Sequence, residues 1–236
     1  INTYGYNLAP GSKELTALNY YTNEEITIPL DPTQTPGENA QRYFAKYNKQ
    51  KRTFEALTEL IQETADDIQY LESISNALDI ALSEADLAQI KEELMQSGYV
   101  RRKHTKKKVK LTSKPMHYIS SDGYDMYVGK NNLQNEELTF SFANGNDWWF
   151  HAKGAPGSHV IVKSGGDELP DRTFEEAGRL AAYYSKNRGS DKVEIDYIQK
   201  KHVKKPNGAK PGFVVYYTNY SLVIDSDISN IKNVQD

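Results

Sequence analysis

The stretch DWWFHAKGAPGSHVIV, residues Asp147–Val162, decides how the second half of this chain folds. Side chains alternate between the two faces of a strand, so Trp149 and His151 share one face of a first strand. Pro156–Gly157 predicts a turn, because proline presets φ and glycine is free to adopt a positive φ. The apolar run Val160–Val162 predicts a buried second strand.

Around this stretch, from about residue 116 onward, short apolar segments alternate with glycine-rich turns. Eight segments are predicted strands: HYISS, YDMYVG, LTFSF, WWFHA, HVIVK, VEIDYI, FVVYY and SLVID. One helix interrupts them, with Thr173 as its N-cap, Glu176 in the capping-box position and Gly189 at its end. Its apolar face consists of Ala177, Leu180, Ala181 and Tyr184. Many short strands and one packed helix predict an α+β domain.

The first hundred residues carry a different pattern. Residues 15–21 and 25–30 are predicted strands. Thr35 is a predicted N-cap, with Pro36 at the first helical position and Glu38 closing a capping box. No glycine or proline interrupts the sixty residues that follow Gly37, and we expect a long helix over residues 36–81. Ser83 and Asp86 predict a second, short helix over residues 84–97.

The long helix carries a heptad pattern, which we call the seam. Its residues are Tyr47, Phe54, Ile61 and Ile68 on one position and Leu57, Leu71 and Leu78 on the matching one. Such a seam is stable only when another helix covers it, and the second helix is too short to do so. We expect the covering helix to be missing from this chain or to come from a second copy, giving a dimer. The alternative is a long helix packed along the C-terminal domain.

These elements predict three regions. Residues 1–100 form a partial coiled-coil region, residues 101–115 a basic linker, and residues 116–236 a compact domain. The predicted fold class is α+β, with a long coiled-coil-type helix followed by a mixed, mainly antiparallel β domain with one packed helix.

Charge is polarised along the 236 residues, although the formal net charge is only −3. Residues 1–100 hold 7 basic and 16 acidic side chains, residues 101–110 hold 7 basic and none acidic, and residues 111–236 hold 15 and 16. A near-neutral domain preceded by a basic run suits a polyanionic partner.

Composition bounds the cellular compartment. The mean hydropathy of −0.73 and the lack of a long apolar stretch predict no transmembrane helix and no membrane partner. The chain has no recognisable signal peptide and starts at Ile1, which suggests a fragment or a processed chain. Since it has no cysteine, disulfides and thiolate metal sites are excluded. We expect a cytoplasmic protein.

Two basic segments are candidates for RNA binding because clustered lysine and arginine neutralise phosphates without regard to sequence. The alternatives are a solvated linker for the first segment and an ordinary charged hairpin for the second. The candidate residues are Arg101, Arg102, Lys103, Lys106, Lys107, Lys108, Lys110, Lys200, Lys201, Lys204, Lys205 and Lys210.

The histidines of the opening stretch also suggest catalysis or metal binding. A metal site at His151 and His159, with Asp147, lacks a third firm ligand, and we expect no metal and no cofactor. Ser158 could act as a nucleophile, but no nucleophile elbow or glycine-lined oxyanion site accompanies it. We therefore expect no enzyme and no catalytic residues. One of the two tryptophans is expected in the core, and the other could stack on a base.

The opening stretch resembles the signature of the NFACT-R domain of ribosome quality-control factors, whose Gram-positive members are often named fibronectin-binding proteins. The residues that fit are Asp147, Trp149, His151, Pro156, Gly157, Ser158, His159 and Val160. Residues 28–52 resemble the second arm of the family's coiled coil, and residues 120–140 the segment before the signature. Residues 200–212 are called the lysine loop, and their part KKPNGAKPG, residues 204–212, also fits the family's pattern.

The resemblance implies a role for the whole protein in rescuing stalled translation. Its implied partners are the large ribosomal subunit and tRNA, and its implied activity is support of C-terminal alanine tailing, with peptidyl transfer left to the ribosome. The signature residues would then be structural or would face RNA. The alternative is an anchorless surface adhesin that binds host fibronectin or fibrinogen, with localisation at the cell surface as well.

Overall fold

The computed structural model describes Ile1, residues 3–101 and residues 113–234. The chain forms two compact units, Ile1–Asp66 and Asp67–Asp236. In the described part of the chain, no helix has both the length and the apolar character needed to cross a membrane.

The first unit contains a hairpin and the start of a long helix. A 3₁₀ turn, Gly5–Asn7, precedes strands β1 (Glu14–Asn19) and β2 (Glu24–Pro29), which pair antiparallel. Asn39, a buried residue of the long helix, fixes the segment that follows the hairpin, because its Oδ1 accepts a hydrogen bond from the Asp31 backbone N–H at 2.8 Å. Both strands were predicted from the sequence.

Helix α1 spans Pro36–Ile80, 45 residues, close to the predicted bounds. Its capping box is present, because the Thr35 backbone N–H donates to Glu38 Oε2 at 2.7 Å and the Glu38 N–H donates to Thr35 Oγ1 at 3.2 Å. Every seam residue is exposed. In the second unit, α1 instead buries Tyr70, Ile74 and Ala77 against Ile90.

Helix α2 spans Glu84–Gln96 and begins with a complete Ser83–Asp86 capping box. A polar contact joins it to α3 (Asn132–Glu137), a short helix that no sequence pattern predicted. Gln89 Oε1 accepts from Asn131 Nδ2 at 2.8 Å and from Gln134 Nε2 at 2.7 Å. Asn132 Nδ2 also donates to Glu93 Oε1 at 2.8 Å. Because these contacts are polar, no apolar period marks α3 in the sequence.

Seven strands of the second unit form one antiparallel sheet, in the order β8-β7-β5-β6-β4-β3-β9. The strands are β3 (Met116–Ile119), β4 (Asp125–Val128), β5 (Trp148–Ala152), β6 (Val160–Val162), β7 (Val193–Gln199), β8 (Tyr220–Ile224) and β9 (Lys232–Asn233). The opening stretch supplies the two central strands, β5 and β6, paired from Trp148↔Val162 to Phe150↔Val160. The predicted α+β fold class is confirmed.

Both faces of the sheet are covered. Helix α4 (Asp171–Tyr183) packs Ala177, Leu180 and Ala181 against one face, beside Phe150. On the other face, Leu138, Trp149 and Val203 belong to a second buried cluster. Burial on both sides explains why β6 is apolar at all three of its positions.

Two predicted strands take other conformations. Residues Leu138–Phe142, the segment LTFSF, form one turn of π-helix that continues α3. Segment FVVYY, residues 213–217, makes only an isolated bridge, Lys204↔Val215. Both segments are rich in β-forming residues. They pack against side chains on the face of the sheet and do not pair with a strand at its edge, so tertiary packing overrides their β propensity.

The start and end of α4 also differ from the prediction. The N-cap is Pro170 and the helix ends at Tyr183, six residues before Gly189. Thr173 lies inside the first turn, and its hydroxyl donates to Asp122 Oδ2 at 2.8 Å. Glu176 reaches across the unit, where one of its carboxylate oxygens accepts from the Ser121 backbone N–H at 2.8 Å. The capping-box pattern therefore serves tertiary contacts here.

Candidate nucleic-acid interface

Three aromatic rings of the opening stretch meet on one face of the sheet. Trp149 and His151 share that face of β5, and their rings stack with centroids 5.6 Å apart. His159, just before β6, lies 5.1 Å from Trp149 and 5.4 Å from His151 between ring centroids. The shared face of Trp149 and His151 predicted from period two is present.

The histidines are held neutral by their surroundings. Desolvation lowers the pKa of His151 to about 4, with the Gly157 carbonyl and the Asp196 carboxylate opposing it. Desolvation and the neighbouring His151 hold the pKa of His159 well below its ordinary value. Because neutral imidazole offers one donor and one acceptor, both rings act at neutral pH as hydrogen-bonding groups without charge.

His159 also connects the sheet to α3. Its ring Nδ1 lies 2.8 Å from the Thr139 hydroxyl, and its backbone N–H donates to Asn135 Oδ1 at 2.9 Å. Asn135 Nδ2 in turn donates to the Gly157 carbonyl at 3.3 Å. One asparagine therefore positions both the histidine and the glycine of the signature.

Asp147 and Trp149 are buried parts of the frame. Asp147 pairs with Lys163 and accepts the backbone N–H groups of Asn144 and Ser164, so it fixes the loop that enters β5. Trp149 is fully buried, as expected for one of the two tryptophans, and its Nε1 has no hydrogen-bond partner among the described residues.

Gly157 is required for space and not for a positive φ, which corrects the turn predicted from its position. The left-handed residue is Gly154, with φ +63°, and Gly157 is not among the positive-φ glycines of the described chain. A Cβ on Gly157 would lie 3.1 Å from Ser185 Cβ, and its backbone bridges to that residue. Ser158 is buried beside it, and its N–H donates to the Tyr184 carbonyl at 3.0 Å.

A cavity of about 200 Å³ opens next to the histidines. Sixteen residues line it: Gln69, Tyr70, Ser73, Asn132, Asn135, His151, Gly154, Ala155, Pro156, Gly157, His159, Pro211, Gly212, Phe213, Val214 and Tyr216. The residues from α1 and from the segment 211–216 were not predicted as site residues. One of them, Tyr70, was recognisable in the sequence as an unusual position, because it is an aromatic residue of α1 that does not belong to the seam.

The predicted lysine loop runs beside this cavity, and its cations fall into two groups. Lys201 and Lys204 are exposed and form no ion pair within the described residues, and the half-buried Lys200 lies 5.8 Å from the Phe140 ring. Lys205 is paired with Glu136 at 2.7 Å, and Lys210 is paired with Asp67. The first group is available to phosphates, whereas the second already has partners.

Lys210 is further held by two tyrosines. Its Nζ lies 4.5 Å from the centroid of the Tyr70 ring and donates to the Tyr99 hydroxyl at 2.9 Å. Desolvation and the hydrogen bond from Lys210 to Asp67 act in opposite directions, and the net effect raises the pKa of the lysine. Lys210 therefore remains charged at the edge of the cavity.

The basic run is described only at its start. Arg101 is exposed. The remaining candidates of that run, Arg102, Lys103, Lys106, Lys107, Lys108 and Lys110, lie outside the described residues. Over residues 1, 3–101 and 113–234, no group of three or more histidine, aspartate or glutamate side chains is arranged to hold a metal ion.

Comparisons with known proteins add to this geometry. Residues 1–113 match the family model of NFACT N-terminal and middle domains, and residues 114–218 match that of the NFACT protein RNA binding domain. The Rqc2 homolog RqcH of Streptococcus pneumoniae serotype 2 is 46% identical over 218 residues, which are 92% of this chain and 39% of the relative. The Rqc2 homolog RqcH of Bacillus subtilis is 42% identical over 231 residues, 96% of this chain and 40% of the relative.

A solved structure is similar as well. It is the C-terminal part of the fibronectin/fibrinogen-binding protein from Streptococcus suis, with 43% identity and a TM-score of 0.76 over 84% of this chain and 78% of that chain. This chain spans about 40% of the length of the curated relatives that it matches.

The α+β sheet carries a proline-containing loop with two exposed lysines, Lys201 and Lys204, that form no ion pair among the described residues. Exposed cations on a loop that a sheet holds in place are typical of nucleic-acid-binding modules. The chain belongs to the NFACT family, and its residues 114–218 are the RNA-binding domain of that family. The resemblance found in the sequence is confirmed.

Proposed function

We propose that this chain is the RNA-binding part of a cytoplasmic ribosome quality-control factor that binds stalled large ribosomal subunits and tRNA and supports C-terminal alanine tailing. The observation that carries the proposal is the match of residues 114–218 to the RNA-binding domain model, together with the unpaired lysines in that range. Its similarity to the RqcH proteins supports the ribosomal context.

In this proposal the chain is not an enzyme. The contacts of Asp147, Ser158 and His159 support a role for the polar signature groups in stabilising the frame, and peptidyl transfer is left to the ribosome. A reaction that contains this chain and alanyl-tRNA but no ribosomal subunits should therefore form no alanine tail.

The direct test is the binding of tRNA across a salt series. Each phosphate neutralised by a lysine releases a counterion, so the logarithm of the affinity should fall linearly with the logarithm of the salt concentration. For folded tRNA we expect a clearly negative slope, to which each contacting cation contributes about 0.7–0.9. A flat dependence, or no binding at low salt, would contradict the proposal.

A second candidate function is adhesion, favoured by one observation: the similar solved structure is of a fibronectin/fibrinogen-binding protein. The edge strand β8 could accept an extended segment by strand addition, because its outer edge pairs with no strand among the described residues. Binding of fibronectin at micromolar concentration that resists high salt and does not compete with tRNA would support it. Absence of such binding would exclude adhesion from this part of the protein.

A further inference from the structure

The cavity beside His151 is lined by four segments of the second unit. Gln69, Tyr70 and Ser73 come from α1, and Asn132 and Asn135 come from α3. The third segment runs from His151 at the end of β5 to His159, and the fourth, residues 211–216, begins at the end of the lysine loop. None of the sixteen lining residues is acidic or basic apart from the two histidines, and both histidines are neutral because burial lowers the pKa of each.

The walls are fixed before any ligand arrives. Glu136 accepts the Gly212 backbone N–H at 3.2 Å and pairs with Lys205, which ties the lysine loop to α3. Gly212 has φ +76°, and a Cβ there would lie 3.0 Å from Asn132 Cβ, so the loop is in direct contact with the helix. A preformed site loses little entropy when it binds a ligand.

The lining chemistry suits a flat, uncharged ring with hydrogen-bonding edges. Tyr70, Phe213 and Tyr216 contribute aromatic rings, and His151 a neutral imidazole. Gln69 is an exposed residue, and its side-chain amide has no hydrogen-bond partner among the described residues. Aromatic rings stack on nucleobases of any sequence, and amides bond to the edges of unstacked bases.

Size and charge point the same way. A volume of about 200 Å³ is below the range of roughly 300–1,000 Å³ that holds drug-sized ligands, which leaves room for one ring system. The cations stand outside the cavity. Lys210 lies over the Tyr70 ring, and the backbone of Lys204 pairs with Val215, between two residues that line the wall.

We propose that this cavity receives one unstacked nucleobase of an RNA strand, while the lysine loop holds the adjoining phosphates. The proposal deepens the RNA-binding function proposed above and rests on it. In this proposal Phe213 stacks on the base and the Gln69 amide bonds to its edge. The proposal also explains why His151 and His159 are neutral, because an imidazolium in the cavity wall would repel the lysines of the loop.

The test compares two exposed aromatic residues of the same segment. Phe213 lines the cavity and is 39% exposed, whereas Tyr217 is 75% exposed and lies outside it. Affinity for single-stranded 12-nucleotide RNAs is measured for the wild type, F213A and Y217A, with Q69A as a second lining variant. Thermal melting of each variant shows whether it is folded.

We expect F213A to weaken binding about 5- to 100-fold, the range for loss of one stacked base, without changing the salt slope. Y217A should bind as the wild type does. When abasic sites are introduced one at a time along the RNA, one position should weaken binding by the wild type as much as F213A does. The loss of affinity at that position should not add to the loss caused by F213A. If the wild type binds RNA and F213A, Q69A and Y217A all bind with the same affinity as the wild type, the cavity proposal is overturned. The proposed RNA-binding function would be unaffected by that result.

Two further results separate the possible sources of the base and the two proposals. If millimolar mononucleotides compete with RNA for the wild type but not for F213A or Q69A, the cavity takes the base of a free nucleotide. If they compete equally for the wild type and for both variants, the proposal is overturned. Failure of the wild type to bind any RNA would instead count against the proposed function.

Discussion

Trp149 shows how one residue of the signature connects sequence to stability. It is fully buried, between Tyr216 at 5.0 Å and His159 at 5.1 Å between ring centroids. A large aromatic residue in that position removes a large apolar area from water and fills the space between the sheet and the loop beyond it. Its role is therefore packing, while the exposed Phe213 and Lys201 are the residues assigned to contact RNA.

Trp149→Ala should lower the free energy of unfolding by ~3–5 kcal/mol, because it leaves a large cavity in the second cluster. The measurement is chemical denaturation, with Phe142→Ala as the control, since Phe142 is 41% exposed. A Trp149→Ala variant that keeps its stability and no longer binds RNA would show that this side chain is a contact residue instead.

The two desolvated histidines, His151 and His159, predict a loss of stability in acid. The folded-state pKa of His151 is about 4 and that of His159 is also lowered, while an unfolded histidine titrates near 6.5. Below about pH 6.5 the unfolded chain therefore binds protons that the folded chain excludes, and stability should fall as the pH drops toward 4. Glu93 acts in the opposite direction, because desolvation raises its pKa and its protonation favours the folded state.

Melting temperatures between pH 8 and pH 4.5 test this expectation. The His151→Gln variant should show a shallower decrease than the wild type, and His202→Gln, at an exposed position of the lysine loop, should follow the wild type. A wild-type melting temperature that is constant from pH 7 to 5 would contradict the neutral state of the pair.

At the scale of elements, capping residues and period-two alternation predict helix starts and strands correctly where the conformation of a segment depends on neighbouring residues alone. The α1 start, the α2 capping box and the strands β5 and β6 follow from such local rules. The π-helical turn at Leu138–Phe142 and the irregular segment 213–217 do not, because their apolar side chains are placed by the second cluster rather than by a strand partner. Propensity is weak against burial of that kind.

The seam of α1 predicts self-association. Phe54 and Ile61 are 72% and 67% exposed, and burying each of them would contribute roughly 1.5–3 kcal/mol. Light scattering should show a mass that rises toward a dimer with concentration, and the double variant Phe54→Glu with Ile61→Glu should remain a monomer. A wild type that is monomeric at all concentrations, with α1 fully helical, would show that the seam needs no partner.

For the whole molecule, net charge is a poor guide to the partner. The chain carries −3 overall, yet Lys201 and Lys204 are exposed and form no ion pair among the described residues. Since screening limits exposed charges to a range of about 10 Å at 0.1 M salt, the local group of cations matters more than the sum.

Replacing Lys201 and Lys204 by glutamine should weaken tRNA binding and reduce the salt slope by about 1.4–1.8, because each phosphate that a lysine no longer neutralises contributes about 0.7–0.9. Stability should be unchanged, because exposed charges without ion pairs contribute little to it. The matched control is Lys192→Gln, an exposed lysine outside the loop. An unchanged slope in the double variant would move the RNA contact away from the loop.

The family, the fold class, the long helix and the two central strands all follow from the order of the amino acids, because periodicity, capping and a run of uncommon residues are properties of neighbouring positions. Folding in three dimensions determines which lysines are paired, that Gly157 serves close packing, and that Tyr70, Phe213 and His151 line one cavity. Those facts depend on distances between segments up to 147 positions apart in the sequence, as between Gln69 and Tyr216. Local rules carry no information about such distances, since they are set by how the whole second unit packs.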